Sequence, residues 1–218
     1  MRVRTAILIS GRGSNMMALV EAAKAADFPA EIALVLANKA DAAGLEWAAS
    51  QELETKVVNH RDFKRDREGF EKAISEQLER ANVDLVCLAG FMRLLTPWFV
   101  ERWKDRLINI HPSLLPSFKG LETHARAIEA GVKLHGCTVH FVRSEMDDGP
   151  IIAQRSVPVL DDDTPDILSR RVLEAEHLLY PHALREVAKG LQNENGWTLH
   201  HDADGIHERV VGIAPLTV

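Results

Sequence analysis

An asparagine and a histidine stand two residues apart in the run Leu107-Ile108-Asn109-Ile110-His111, directly before Pro112. The run reads as a short strand, and Pro112, which has no backbone N–H to donate, stops the ladder just after His111. Side chains alternate along a strand, so Asn109 and His111 share one face while Ile108 and Ile110 share the other. An amide donor beside a group that carries protons at neutral pH is thereby expected at a strand end. In open α/β sheets the crevice beyond such ends is where ligands bind. The plainer reading is a histidine satisfied by a neighbouring backbone group.

Three other stretches could complete a reaction centre. Gly11-Arg12-Gly13-Ser14-Asn15-Met16 lies between a strand and a helix, where backbone N–H groups and the helix dipole favour a phosphate. Met16 stands where the dinucleotide fingerprint has its third glycine, and the loop lacks a Walker lysine, so a monophosphate fits better than NAD or ATP. A turn that merely closes the connection is the alternative. Asp147 and Asp148 sit in a loop before Gly149-Pro150. A carboxylate beside His111 would favour the imidazolium and suit proton transfer, although acidic residues here also serve as turn formers. Glu176 falls within the apolar stripe of Leu168, Val172, Leu179 and Ala183. A buried carboxylate needs a partner, either an internal cation or a ligand amine or hydroxyl. His200, His201 and His207 match no strong ligand spacing and read as surface residues, so no metal is expected.

Positioning these groups falls to an alternation of strands and helices. Val3 to Ser10 reads as a buried strand, and Ser14-Asn15 as an N-cap for a helix to about Ala26. Strands follow at Glu31 to Ala37, Glu54 to Val58 and Asp84 to Ala89, separated by helices at Ala42 to Gln51 and Arg67 to Ala81. Thr96-Pro97 caps and starts a short helix to about Trp103, and Thr123 to Ala130 forms another. Gly136 to Val142 alternates as a half-exposed strand, and Ile151 to Val159 is a further strand. From Thr164-Pro165 a long helix runs to about Lys189, bent at Pro181 and closed by Gly190, while Asp204-Gly205 suggests a hairpin over 197–211. The pattern is α/β: a doubly wound, mostly parallel sheet of about seven strands with helices on both faces.

Composition narrows the function classes. The 218 residues are 46% hydrophobic, enough for a sizeable core, without an 18-residue apolar run or a signal-peptide pattern at the N-terminus. A soluble, cytoplasmic protein without a membrane partner is expected. A formal charge of −6 and the lack of a basic cluster argue against nucleic acid as a partner. Cys87 and Cys137 lie in apolar strand-like runs and read as core residues.

The stretch Asn109-Ile110-His111-Pro112-Ser113-Leu114-Leu115-Pro116, with Asp147 some 36 residues beyond His111, resembles the signature of the folate-dependent formyltransferases. Gly11-Arg12-Gly13-Ser14-Asn15, Ala89-Gly90-Phe91-Met92-Arg93 and Glu176-His177 near Tyr180-Pro181 extend the resemblance to about Gly190. It implies a formyltransferase-like domain over 1–190, with a phosphate-binding half (1–100), a catalytic and folate-binding half (101–190) and a tail at 191–218. The implied reaction moves the formyl group of the co-substrate 10-formyltetrahydrofolate to the amine of glycinamide ribonucleotide, in purine synthesis. Asn109, His111 and Asp147 would be catalytic. Gly13, Ser14, Asn15 and Met16 would hold the substrate phosphate, and Glu176 the other end of that substrate. Arg67, Met92, Arg93, Leu94, Leu95, Val142 and Asp147 would line the folate site, with His140 near the catalytic cleft. The family often has a small residue where Asp148 stands, although the spacing from His111 favours Asp147. A homodimer is left open. A tRNA-formylating relative would carry a C-terminal RNA-binding domain and a formyltetrahydrofolate hydrolase an N-terminal regulatory one; the acidity, the short tail and the start at strand one argue against both. A non-catalytic binding module would have no reason to keep amide, imidazole and carboxylate together.

Overall fold

Near-continuous apolar runs become the middle of a sheet. The computed structural model describes residues 1–192. Its strands are β1 (Val3–Ile9), β2 (Ala30–Ala37), β3 (Thr55–Val57), β4 (Leu85–Leu88), β5 (Leu107–His111), β6 (Leu134–Phe141) and β7 (Ile151–Pro158). They lie in the order β3-β2-β1-β4-β5-β6-β7. All pairs from β3 to β5 are parallel, whereas β5–β6 and β6–β7 are antiparallel.

Helices cover both faces, as the doubly wound pattern requires. On one face α1 (Ser14–Ala23) and α6 (Pro165–Gln192) pack Met16, Leu19, Leu168, Val172 and Leu179 onto Ile7, Cys87, Ile108 and Val139. On the other, α3 (Arg67–Arg80) and α4 (Pro97–Arg102) press Phe70, Ile74, Leu78 and Phe99 onto Leu8, Leu36, Val86 and Leu107. Burying each Leu or Val side chain is worth about 1.5–3 kcal/mol, so packing rather than helix propensity holds these elements. The remaining helices are α2 (Gly44–Ser50) and α5 (Thr123–Glu129). No helix among the described residues is long and apolar enough to cross a membrane.

Several local expectations are corrected. Helix α1 is capped by Gly13 in the left-handed region (φ +72°), with no side-chain cap bond, because the Asn15 amide is drawn to Glu176 instead. The Thr96 side chain does not cap α4 but turns to Glu71. Strand β6 is not half-exposed: every residue from His135 to Phe141 is buried, because the strand lies inside the sheet between β5 and β7. Gly190 does not close α6, which continues to Gln192, where the side-chain amide donates to the carbonyls of Met1 (2.7 Å) and Pro29 (3.0 Å). Pro181 stands inside α6 without ending it. The hairpin expected over 197–211, and the three histidines within it, lie outside the described residues.

Tyr180 ties α6 to the neighbouring strands β4 and β5. Its buried hydroxyl lies 3.0 Å from the Leu88 carbonyl and 3.2 Å from that of Ile108, and donates to them. A Tyr180→Phe variant is expected to lose about 1–2 kcal/mol, since those carbonyls then face an apolar edge. Thermal denaturation checks it: a midpoint equal to that of the wild type would show that the hydroxyl contributes nothing.

Candidate active site

The sheet reverses direction between β5 and β6, and the side chains that could do chemistry gather at that seam. Antiparallel register places Asn109 opposite His140 and His111 opposite Thr138. Directly opposed residues project to the same face, so all four share one side, while Ile108, Ile110 and Val139 enter the core on the other. Asn109 Nδ2 lies 3.3 Å from His140 Nε2, and His140 Nδ1 lies 3.0 Å from the Phe141 carbonyl. A carbonyl only accepts, so Nδ1 carries the proton and Nε2 accepts from the Asn109 amide. Burial pushes the His140 imidazole below its ordinary pKa, which keeps this neutral tautomer.

A loop between β6 and β7 brings the carboxylate. Phe141 N–H donates to the Pro150 carbonyl (2.9 Å) and closes its base. Gly149 passes so near that an added Cβ would lie 1.7 Å from the Phe141 carbonyl oxygen, so only glycine fits there. Asp147 adopts φ +53°, a left-handed conformation that aspartate tolerates better than most residues. Its Oδ2 lies 3.4 Å from His111 Nδ1 and accepts from Gly120 N–H at 2.9 Å, while Oδ1 lies 3.9 Å from His140 Nε2. His111 Nε2 faces the Phe118 carbonyl at 3.1 Å. Both ring nitrogens thus face oxygen acceptors. Asp148 turns outward and pairs with Lys119. The doubt over which aspartate faces His111 is settled by this geometry.

Beside this cluster the glycine turn forms a cavity of about 260 Å³, lined by Gly11 to Asn15 with Ser10, Ala89, Gly90 and Met92. The helical bonds of α1 begin with Met17 N–H to the Gly13 carbonyl at 2.9 Å. The N–H groups of the preceding turn therefore have no intrahelical acceptor and, with the helix dipole, suit an anion. Gly13, Ser14 and Asn15 line the cavity, whereas the Met16 side chain is wholly buried, leaving its backbone N–H as the group it could offer. Glu176, 7% exposed, takes the Asn15 amide at 2.7 Å as its bonded partner, not a cation. Burial raises its pKa and the Asn15 bond opposes that rise. Asn15 Oδ1 is buried and unpartnered, an acceptor free for a ligand hydroxyl or amine.

The expected folate-side residues divide. Met92 and Leu94 leave large apolar side chains 71% and 68% exposed on the loop after β4, and Arg93 shares that loop. Arg67 reaches the same loop, its Nη2 donating to the Leu94 carbonyl at 2.5 Å. Leu95 and Val142 instead pack partly against the core under α3 and α4. Groups absent from the expected set include Arg12 in the cavity wall, Thr138, and the imidazoles of His124 and His135 behind His111. Only the alternation along β6 could have pointed to Thr138, and only with the pairing register known; His140, expected near the cleft, stands opposite Asn109. No cluster of three or more metal-binding side chains occurs among the described residues.

The formyl transferase family model matches residues 3–184. The bovine (Bos taurus) trifunctional purine biosynthetic protein adenosine-3 is 48% identical over 197 residues, covering 89% of this chain; the chain spans only 19% of that protein's length. The phosphoribosylglycinamide formyltransferase of Haemophilus influenzae is 42% identical over 187 residues, covering 86% of this chain and 88% of the relative. A crystal structure of phosphoribosylglycinamide formyltransferase from Brucella melitensis superposes with a TM-score of 0.83 at 52% identity, covering 87% of this chain and 97% of that one.

The buried histidines are expected to make the fold acid-sensitive. His135 is 1% exposed and packs edge-on against His124 and Phe118. Neither of its ring nitrogens completes a hydrogen bond; the nearby Pro112 carbonyl already accepts from Thr123. Burial pushes its pKa down to about 4, and lowers those of His124 and His140 as well. Depressed imidazoles stabilise the fold fully above the unfolded-state pKa, about 6.5, and lose that contribution as pH falls through the folded values. Glu71 and Glu176, raised by burial, act in the opposite sense, favouring the fold as pH falls through their raised values, and offset part of the loss. Melting temperatures should therefore fall steadily from about pH 6.5 toward pH 4, with a shallower slope in His135→Leu. Equal slopes in the two proteins would remove His135 from the account.

Proposed function

The chain belongs to the formyl transferase family, and on that premise we propose that it transfers the formyl group of 10-formyltetrahydrofolate to the amine of glycinamide ribonucleotide. The products are formylglycinamide ribonucleotide and tetrahydrofolate, in purine biosynthesis. The observation that carries the reading is the meeting of Asn109, His111 and Asp147 at one strand end, beside a cavity suited to a phosphate. A non-catalytic folate or nucleotide binder would have no use for the three together.

Attack of a neutral amine on the formyl carbon makes a tetrahedral species with negative oxygen and positive nitrogen. Stabilising it takes donors for the first and a proton acceptor for the second. The Asn109 amide nitrogen has two hydrogens; His140 holds one, leaving the other for the oxyanion. His111, with Asp147 facing its Nδ1, supplies the second donor. The 3.4 Å separation between them exceeds the usual charge-assisted length, about 2.7–2.9 Å, so Nδ1–H is not committed to the carboxylate. Asp147 accepts the amine proton through a water molecule. The carbon–nitrogen bond to the folate then breaks as that nitrogen takes up the proton that the amine gave to Asp147. The phosphate rests on the first turn of α1, and Glu176 with Asn15 Oδ1 receives the hydroxyl or amine groups at the acceptor's other end. Met92 and Leu94 offer apolar cover for the donor's flat ring.

Loss of 10-formyltetrahydrofolate, followed by absorbance with and without glycinamide ribonucleotide, tests the reading. Acceptor-dependent loss is expected; acceptor-independent loss would indicate a hydrolase, and no loss a binding module. Asn109→Ala, His111→Ala and Asp147→Asn should each lower kcat by roughly 10²-fold or more with the fold intact, whereas Asp148→Asn stays within about threefold. Near-normal turnover in His111→Ala would sink the assignment.

A further inference from the structure

The loop from Ala89 to Thr96 carries exposed apolar side chains yet is tightly held. Ser10 grips its start, accepting from Met92 N–H at 2.8 Å through the hydroxyl and donating its own N–H to the Gly90 carbonyl at 3.2 Å. Phe91 is buried in the core beneath it. At the far end Glu71, one helical turn from Arg67 on α3, accepts from Thr96 N–H at 2.8 Å and from the Thr96 hydroxyl. Arg67 holds the Leu94 carbonyl between these anchors. Register pairs Leu88 with Asn109, so the loop leaves the sheet next to the reacting strand end.

Glu71 is unusual among these contacts because it is 1% exposed. Burying a carboxylate costs free energy, and no cation among the described residues forms an ion pair with this one; Arg67 acts on it only through space, and its bonded partner is Thr96. Were it needed only to pack α3 on the sheet, an apolar side chain would serve at lower cost. What it adds is a fixed position for the loop end.

We propose that Glu71 is a positioning residue for the folate co-substrate, clamping Thr96 so that Met92 and Leu94 form a rigid apolar wall beside Asn109. This rests on the formyl-transfer reading above. The acceptor cavity, built on the first turn of α1, meets only the start of this loop, at Ala89, Gly90 and Met92, which Ser10 holds without Glu71, so donor and acceptor should respond differently to the loss of Glu71.

Steady-state kinetics with each substrate varied, together with calorimetric binding of tetrahydrofolate alone, test the proposal. Glu71→Ala should raise KM for 10-formyltetrahydrofolate and weaken tetrahydrofolate binding by about tenfold, with kcat and KM for glycinamide ribonucleotide within about twofold of wild type. Glu71→Gln should restore most of the loss, because an amide accepts from Thr96 N–H and donates to the Thr96 hydroxyl. Unchanged donor KM and tetrahydrofolate binding in Glu71→Ala would overturn the proposal. So would an equal rise in both KM values accompanied by a lower melting temperature, the mark of general destabilisation. If Glu71→Ala does not fold, Thr96→Val decides: weaker tetrahydrofolate binding by about threefold supports the clamp, and unchanged binding overturns it. Wild-type protein that binds tetrahydrofolate without transferring formyl would end the functional reading and leave the Glu71 comparison to be read from binding.

Discussion

The reversal of strand direction between β5 and β6 is the constraint on which the site depends. A parallel sheet ends all its strands at one edge, so Asn109 and His111 come to lie beside the glycine turn after β1 and the loop after β4. Antiparallel pairing with β6 then sets His140 and Thr138 opposite them on the same face. Had β6 run parallel to β5, its carboxyl end and the loop bearing Asp147 would leave the sheet at a different place relative to His111. One change of direction thus brings an amide, two imidazoles and a carboxylate within hydrogen-bonding or Coulombic range.

Crowding so many polar groups into a buried edge carries a desolvation cost, and the structure meets it by giving nearly every group a defined partner. Thr138 illustrates this. Its hydroxyl donates to the Ser113 carbonyl at 2.7 Å and accepts from Leu115 N–H at 3.0 Å and Gln154 Nε2 at 2.9 Å, pinning the segment after His111 to β6 and β7. The same segment delivers the Phe118 carbonyl to His111 Nε2. Exceptions include His135 with the neighbouring His124 Nδ1, inside the fold, and Asn15 Oδ1, at the cavity wall. A group unsatisfied in the interior is a liability that acid exposes, whereas one at a cavity wall is an acceptor for a ligand.

Much of the architecture was legible because burial on both faces leaves a strong signature. The apolar runs of β1, β2 and β4 and the stripe of α6 stand within a residue or two of where periodicity puts them, and Glu176 is conspicuous as a carboxylate inside that stripe. Local signals failed where a polar side chain had a tertiary partner. Asn15 and Thr96 both have the chemistry of helix caps, yet one serves Glu176 and the other Glu71, since a buried carboxylate gains more from a donor than an exposed helix end gains from an acceptor. The half-exposed pattern of β6 failed for the same reason: Thr138 and His140 face buried hydrogen-bond partners rather than water.

The sequence by itself determined the alternation of strands and helices, the shared face of Asn109 and His111, the phosphate-suited turn and the motif that resembles the folate-dependent formyltransferases. These follow from local geometry, period and short spacing, which a chain carries wherever it folds. Tertiary structure alone decided that Asp147 rather than Asp148 faces His111, that His140 fixes the Asn109 amide, and that Glu71 anchors the loop beyond β4. Each of those depends on pairing register or on contacts between residues far apart in the chain, and no local preference encodes which strand edge or which turn will meet.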